Sequence, residues 1–288
     1  MNGVSMNGSD SVREMIEERK KQAQNAIIKL NELAQAKIRL KRPVFFVPGW
    51  TDESCVCWKT AYKKSYTPVK EWLSKIADNF ELANFVIFTD KESEGCNSFL
   101  DLGDILKTKI WDKIGQDTKF DLVGHSMGGL DSVAAITDTE DPLMNVNHLI
   151  TVATPHQGSE LGEIGPIFNK YKPHHASQCV QLDPDQPSIK LINKLTNRQK
   201  LLSSIEKLYC LMGTRDMAVM KSARFNKEGL DINLYKEKVE IVQIDGATHS
   251  MDYGITQDSR TVLAIVRILL DIELEKPKYN YGYIYKKA

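Results

Sequence analysis

Apolar residues recur at three- to four-residue steps through residues 10–40, at Val12, Ile16, Ala23, Ile27, Leu30 and Ala34. Glu17, Glu18, Lys20 and Lys21 occupy the polar side, so the spacing predicts an amphipathic helix. The pattern then changes. Residues 43–47 form a β-rich run closed by Pro48-Gly49, the first clear strand. Thr67-Pro68 opens a helix, with threonine as cap and proline at the first helical position. Val69, Trp72, Leu73, Ile76 and Phe80 line one of its faces. Residues 84–88 predict a second strand, 99–114 a helix stopped by Gly115, and 120–123 a short buried strand. A helix follows to about Asp138, then a strand over 146–154. From Gly158 to about Ile205 the alternation fails, except for a short helix over 189–195. Strands at 207–212 and 239–244 and a helix over 259–274 restore it. Tyr279, Tyr281, Tyr283 and Tyr285 alternate strictly in the tail, which predicts an edge strand or an extended segment packed by one face.

Strands alternating with helices imply an α/β fold, a mostly parallel central sheet with helices on both faces. The irregular stretch between the fourth and fifth strands reads as an insertion over the carboxyl ends of the strands, where such sheets bind ligands. Three segments follow. Residues 1–41 are a tail and helix, 42–274 the α/β domain, and 275–288 a tyrosine-rich tail.

Composition removes several function classes. The 288 residues carry 38 basic and 38 acidic side chains, for zero formal charge. A nucleic-acid partner is therefore not expected. No apolar run reaches the roughly 18 residues of a transmembrane segment. The first residues lack the basic start and apolar centre of a signal peptide. Cys55, Cys57, Cys96, Cys179 and Cys210 are odd in number and irregularly spaced, so neither a disulfide framework nor a metal site is expected. A cytoplasmic protein without cofactor or metal is the expectation.

One motif carries chemistry. Gly124-His125-Ser126-Met127-Gly128 has the form Gly-x-Ser-x-Gly, between a predicted strand and a predicted helix. A serine at the apex of such a turn is exposed, and the helix start aims unpaired N–H groups at it. A nucleophilic serine needs a base, and the base needs a carboxylate. Of six histidines, His125 lies beside the serine with its ring directed away. His148 starts a strand and is expected at solvent, His156 shapes a pocket wall, and His174 and His175 are a surface pair. His249 follows the last strand on a loop and is the candidate base. Asp216 and Asp245 both end strands before it, and Asp216 is preferred as the acid with Asp245 its rival.

The blocks Val44-Phe45-Phe46-Val47-Pro48-Gly49-Trp50, Gly124-His125-Ser126-Met127-Gly128-Gly129, Ala153-Thr154-Pro155-His156-Gln157-Gly158, and Gly213-Thr214-Arg215-Asp216 with Gly246-Ala247-Thr248-His249 together resemble an α/β-hydrolase of the serine lipase/esterase type. The resemblance runs from about Arg42 to Leu274. It implies a Ser126–Asp216–His249 triad in the chain order serine, acid, histidine, with no cofactor. It implies an oxyanion hole from the N–H of Met127 and of Trp50, with Thr51 as the fallback donor. It also implies a lid over about residues 159–204. There Leu161, Ile164, Ile167 and Phe168 would meet acyl chains, with Thr51 and His156 also lining the substrate site. Two features depart from the pattern. Pro48-Gly49 replaces the histidine-glycine pair often found at the oxyanion loop. The N-terminal helix stands where longer hydrolases have their first strands, which implies a sheet reduced to about six strands. The expected activity is cleavage of carboxylic esters, with a small-molecule or lipid ester as substrate. Acyl transfer, amidase or thioesterase chemistry on the same triad, or a non-catalytic ligand receptor, are the alternatives.

Overall fold

The six runs expected as strands pair side by side, all parallel, in one sheet. The computed structural model describes residues 8–49, 66–89, 91–92, 95–159, 177–178, 180–219, 222–249 and 254–274. The strands are β1 Val44–Val47, β2 Ala83–Phe85, β3 Phe120–His125, β4 Val146–Val152, β5 Lys207–Gly213 and β6 Val239–Ile244. Their order is β2-β1-β3-β4-β5-β6. The helices are α1 Gly8–Ala36, α2 Thr67–Ile76, α3 Phe99–Ile114, α4 Met127–Thr137, α5 Pro187–Ile192, α6 Leu195–Ser204, α7 Ile232–Lys238 and α8 Ser259–Leu269.

β1, β3 and β4 are buried at every position and therefore on both faces, whereas β2 and the middle of β6, towards the edges of the sheet, are half-buried. Alternate side chains still go to opposite sides. Phe45, Val47, Leu122, Leu149 and Cys210 join the core under α3, α4, α5 and α6. Val44, Phe46, Val123, Ile150 and Leu211 join the core under α1, α2 and α8. Phe45 meets Phe120 edge-on, and Phe46 stacks on Phe85.

Helix ends follow local chemistry. The Ser98 hydroxyl accepts from the N–H groups of Leu100 and Asp101, and the Asp101 carboxylate accepts from Ser98 N–H at 2.9 Å. This reciprocal cap starts α3. Gly115, at φ 75°, ends it as expected. Asp231 and Asp258 cap α7 and α8 with their side chains. Thr67 is the first helical residue of α2 rather than its cap, with Pro68 in the first turn.

Some boundaries differ from expectation. β2 stops at Phe85, and α8 stops at Leu269. α6 and α7 were not expected at all. The proposed lid boundaries also need correction. Leu182, Ile189, Ile192, Leu201 and Leu202 are buried in the core under α4, so the stretch from Leu182 onward is part of the domain body. His148 is buried rather than at solvent, between Asp121 and Tyr209, because Arg42, Asp121 and Asp271 gather over the start of β3 and β4. Cys96 and Cys210 are buried free thiols. Cys55, Cys57, Cys179, His174, His175 and the tyrosine tail lie outside the described residues.

The strand order positions the site. After β2 the chain crosses to the other side of β1 to form β3. The carboxyl ends of β1 and β3 therefore flank a switch point, where open α/β sheets hold ligands. Gly49 and Ser126 meet there.

Candidate active site

Ser126 stands between β3 and α4 at φ 52° and ψ −125°. A non-glycine residue adopts such a conformation only when its surroundings enforce it. Here they do. Ser126 N–H donates to the Val152 carbonyl at 2.8 Å, and its carbonyl accepts from Gly129 N–H. Glycine is required on both flanks. A Cβ on Gly124 would stand 2.5 Å from Gly129 Cα, and one on Gly128 would run into the Pro48 carbonyl. The turn from strand to helix is thus closed too tightly for side chains.

His249 lies on the loop after β6. Its Nε2 is 3.0 Å from Ser126 Oγ, and its Nδ1 is 2.9 Å from Asp216 Oδ2. A carboxylate only accepts, which places the histidine proton on Nδ1 and leaves Nε2 to accept from the serine hydroxyl. Asp216, at the end of β5, is 1 % exposed. Its second oxygen accepts from the N–H groups of Ala218 and Val219, each at 3.1 Å. The buried carboxylate is thereby held with both oxygens bonded. Three strand ends, β3, β5 and β6, supply the three side chains.

Asp245, the rival acid, faces elsewhere. Its carboxylate is held by Arg19 of α1 at 2.6 Å and by Thr214 Oγ1 at 2.9 Å. Burial raises the Asp245 carboxyl, but the Arg19 and Thr214 hydrogen bonds outweigh it and keep the group below its ordinary value.

The other expected residues divide into three groups. Met127 is the first residue of α4. The first N–H groups of a helix have no intrahelical partner, so its N–H is free to face the serine side. Gly49 brings the end of β1 against the turn, since a Cβ on it would be 2.9 Å from Ser126 Cβ. Trp50, Thr51, Ile164, Ile167 and Phe168 lie outside the described residues. His156 requires a correction. Its ring is buried beside Thr151 Oγ1 at 2.9 Å, Cys210 and the edge of Phe225, because β4 ends in a turn that folds it back onto the sheet. Burial pushes its pKa down to about 4.

Two further buried groups stand behind the site, of which only Asp131 went unnoticed in the sequence. The His125 ring lies 5.5 Å from that of His249. Burial first, and then the charge of His249, push its pKa down to about 3, so it stays neutral behind the site. Asp131, on the second turn of α4, is fully buried with neither carboxylate oxygen hydrogen-bonded. Burial raises its pKa well above the ordinary value. Its only sequence signal was an acidic residue in an otherwise apolar helix. Among the described residues no group of three histidine, cysteine or acidic side chains could hold a metal, and no helix is long and apolar enough to cross a membrane.

Residues 102–228 match the family model described as a PGAP1-like alpha/beta domain. That span includes Ser126 and Asp216 and stops before His249. No curated protein matches the chain by sequence. Phospholipase PlaB from Legionella pneumophila superposes with a TM-score of 0.55 at 14% identity, over 80% of this chain and 60% of the phospholipase. The present chain therefore spans less than two thirds of that protein. The metagenomic carboxyl esterase MGS0156 superposes with a TM-score of 0.55 at 14% identity, over 82% of this chain and 77% of the esterase. The chain has the α/β-hydrolase fold, in a six-stranded, all-parallel form.

Proposed function

We propose that this protein is a serine hydrolase of carboxylic esters. The observation that carries the proposal is the continuous chain from Ser126 Oγ through His249 to Asp216, at 3.0 and 2.9 Å. Ser126 attacks the ester carbonyl as His249 Nε2 takes its proton. The carbonyl oxygen becomes an oxyanion, which accepts from Met127 N–H and from a second donor, Trp50 or Thr51, after Gly49. Each such donor lowers the barrier by about 3 kcal/mol. Collapse of the intermediate expels the alcohol, which receives the proton from His249. A water then gives a proton to His249 as it attacks the acyl-Ser126, and collapse releases the acid while His249 returns that proton to Ser126 Oγ. Asp216 holds the imidazole tautomer and stabilises the imidazolium at both stages.

The strained backbone of Ser126 supports the same reading. Strain of this kind gathers at functional sites and has no packing benefit of its own. The named relatives in fold, a phospholipase and a carboxyl esterase, are consistent with an ester substrate. Hydrolysis of p-nitrophenyl esters of graded acyl length tests the proposal. Turnover that is lost in Ser126→Ala supports it, and its dependence on chain length defines the acyl group. Absence of turnover across the whole series, in folded protein, would contradict it.

A further inference from the structure

Asp245 has a second place in the site. Its carboxylate accepts from Nε and Nη2 of Arg19, at 2.6 and 3.1 Å, and from Thr214 Oγ1 at 2.9 Å. The same Thr214 oxygen accepts from Gly246 N–H at 2.8 Å. Thr214 stands two residues before Asp216, and Gly246 three residues before His249. The two loops are joined again where Arg215 N–H meets the Ala247 carbonyl at 3.0 Å. They also touch directly, because Gly213 has no room for a Cβ against Ala247. The acid-bearing and histidine-bearing loops are thus one hydrogen-bonded unit with Asp245 at its centre.

That unit is closed from outside. Arg260 of α8 donates to the Asp245 carbonyl at 2.8 Å and to both oxygens of Asp258, at 2.9 and 2.7 Å. It therefore ties together the two ends of the segment that carries His249. Ser259 Oγ donates to the Ala23 carbonyl of α1 at 2.9 Å. Arg19 packs on Gly246, which takes φ 80° and where a Cβ would stand 3.0 Å from the Arg19 side chain. The Arg19 side chain is 17% exposed, so the contact is a partly buried, two-pronged one rather than a loose surface pair.

We infer that α1, through the Arg19–Asp245 contact, is a positioning element of the active site, fixing where the histidine loop sits relative to Asp216 and Ser126. The inference rests on the ester-hydrolase proposal for its kinetic consequence, but not for its geometric one. Arg19 and Asp245 touch no reacting atom. They act through Thr214 and Gly246 on the residues that do. A displacement of about 1 Å at a reacting group can lower a rate by about a hundredfold.

The test compares full-length wild type with Arg19→Ala, Arg19→Lys, Asp245→Asn and the surface control Lys20→Ala. Three readouts are taken: kcat and KM on a p-nitrophenyl ester, the downfield proton resonance of the His249 Nδ1–H, and the melting temperature. Arg19→Ala and Asp245→Asn should lower kcat by about ten- to a hundredfold and shift the resonance upfield, with KM changed less than about twofold. Arg19→Lys, which restores the charge without the planar fork, should recover part of the loss. Lys20→Ala should match wild type. Wild-type kcat and resonance in Arg19→Ala and Asp245→Asn would overturn the inference. So would a loss that disappears once the assay temperature is well below each variant's melting point. If wild type shows the resonance but no turnover, the ester-hydrolase reading falls, and the resonance of the variants alone decides the positioning claim.

Discussion

Asp216 Oδ2 lies 2.9 Å from Nδ1 of His249, whereas Asp245, much nearer to that histidine in sequence, gives its carboxylate to Arg19. The two aspartates therefore make separable predictions. Asp216→Asn replaces an acceptor with a group that can stabilise the wrong tautomer, and should lower kcat by about 10⁴-fold. Asp245→Asn should cost no more than about a hundredfold, because it moves the loop without removing the imidazole's partner. Steady-state kinetics on the two variants settles the assignment. Equal losses, or the reverse order, would exclude Asp216 as the acid.

Gly128→Ala should be damaging for steric reasons alone. The new methyl group meets the Pro48 carbonyl, and backbone there cannot rotate away. Overpacking of this kind costs about 1–3 kcal/mol. Because Pro48-Gly49 precedes the proposed second oxyanion donor, kcat should fall as well. Urea unfolding and kinetics measure the two effects. A variant with wild-type values for both would mean that the turn is looser than its contacts indicate.

Asp131 makes a prediction about pH. Burial holds its carboxyl protonated well above 3.8, the ordinary value. Above that ordinary value the unfolded chain releases the proton and the folded chain keeps it. The folded state then binds more protons, so this group's contribution falls as pH rises, by about 1.4 kcal/mol per unit, until the folded-state pKa is reached. The contribution is fully present only below the unfolded value. Asparagine does not titrate, so the stability of Asp131→Asn relative to wild type should grow between about pH 5 and pH 7. A difference that stays constant over that range would show that Asp131 ionises as readily in the folded protein as in the unfolded one.

His156 should behave as a core residue. His156→Ala removes a buried ring from among Thr151, Cys210 and Phe225. The loss of packing and of a buried hydrogen bond is expected to cost about 2–4 kcal/mol, with KM unchanged. Kinetics and thermal unfolding separate this from a pocket role. A raised KM with unchanged stability would return His156 to the substrate site.

Much of the site was legible because its signals are local. Ser126 is specified by its own neighbours, Gly124 and Gly128, whose lack of side chains both marks the turn and makes it possible. The strands were legible because each is a short run rich in β-branched, aromatic or other apolar residues, and β1, β3 and β4 are buried at every position. What was not legible depends on contacts between distant parts of the chain. Asp216 and Asp245 both follow strand ends, and the Asp245 carboxylate is taken up by Thr214 and by Arg19, which is 226 residues away. His148 looked exposed because polar side chains usually are, and His156 was read as part of a pocket wall, yet Asp121 and Thr151 give them buried partners. α6 was missed because its exposed surface is polar and only Leu201 and Leu202 among its apolar residues are fully buried. α7 was missed because it is short and has no buried residue at all.

The central claim is that Ser126 is a nucleophile activated by His249. Intact-mass spectrometry after exposure to a fluorophosphonate tests it most directly, because labelling needs the activated serine but not the natural substrate. Wild type should gain the mass of one probe, mapped to Ser126, and Ser126→Ala should gain none. Folded wild type that takes up no probe, or Ser126→Ala that labels as well as wild type, would contradict the account.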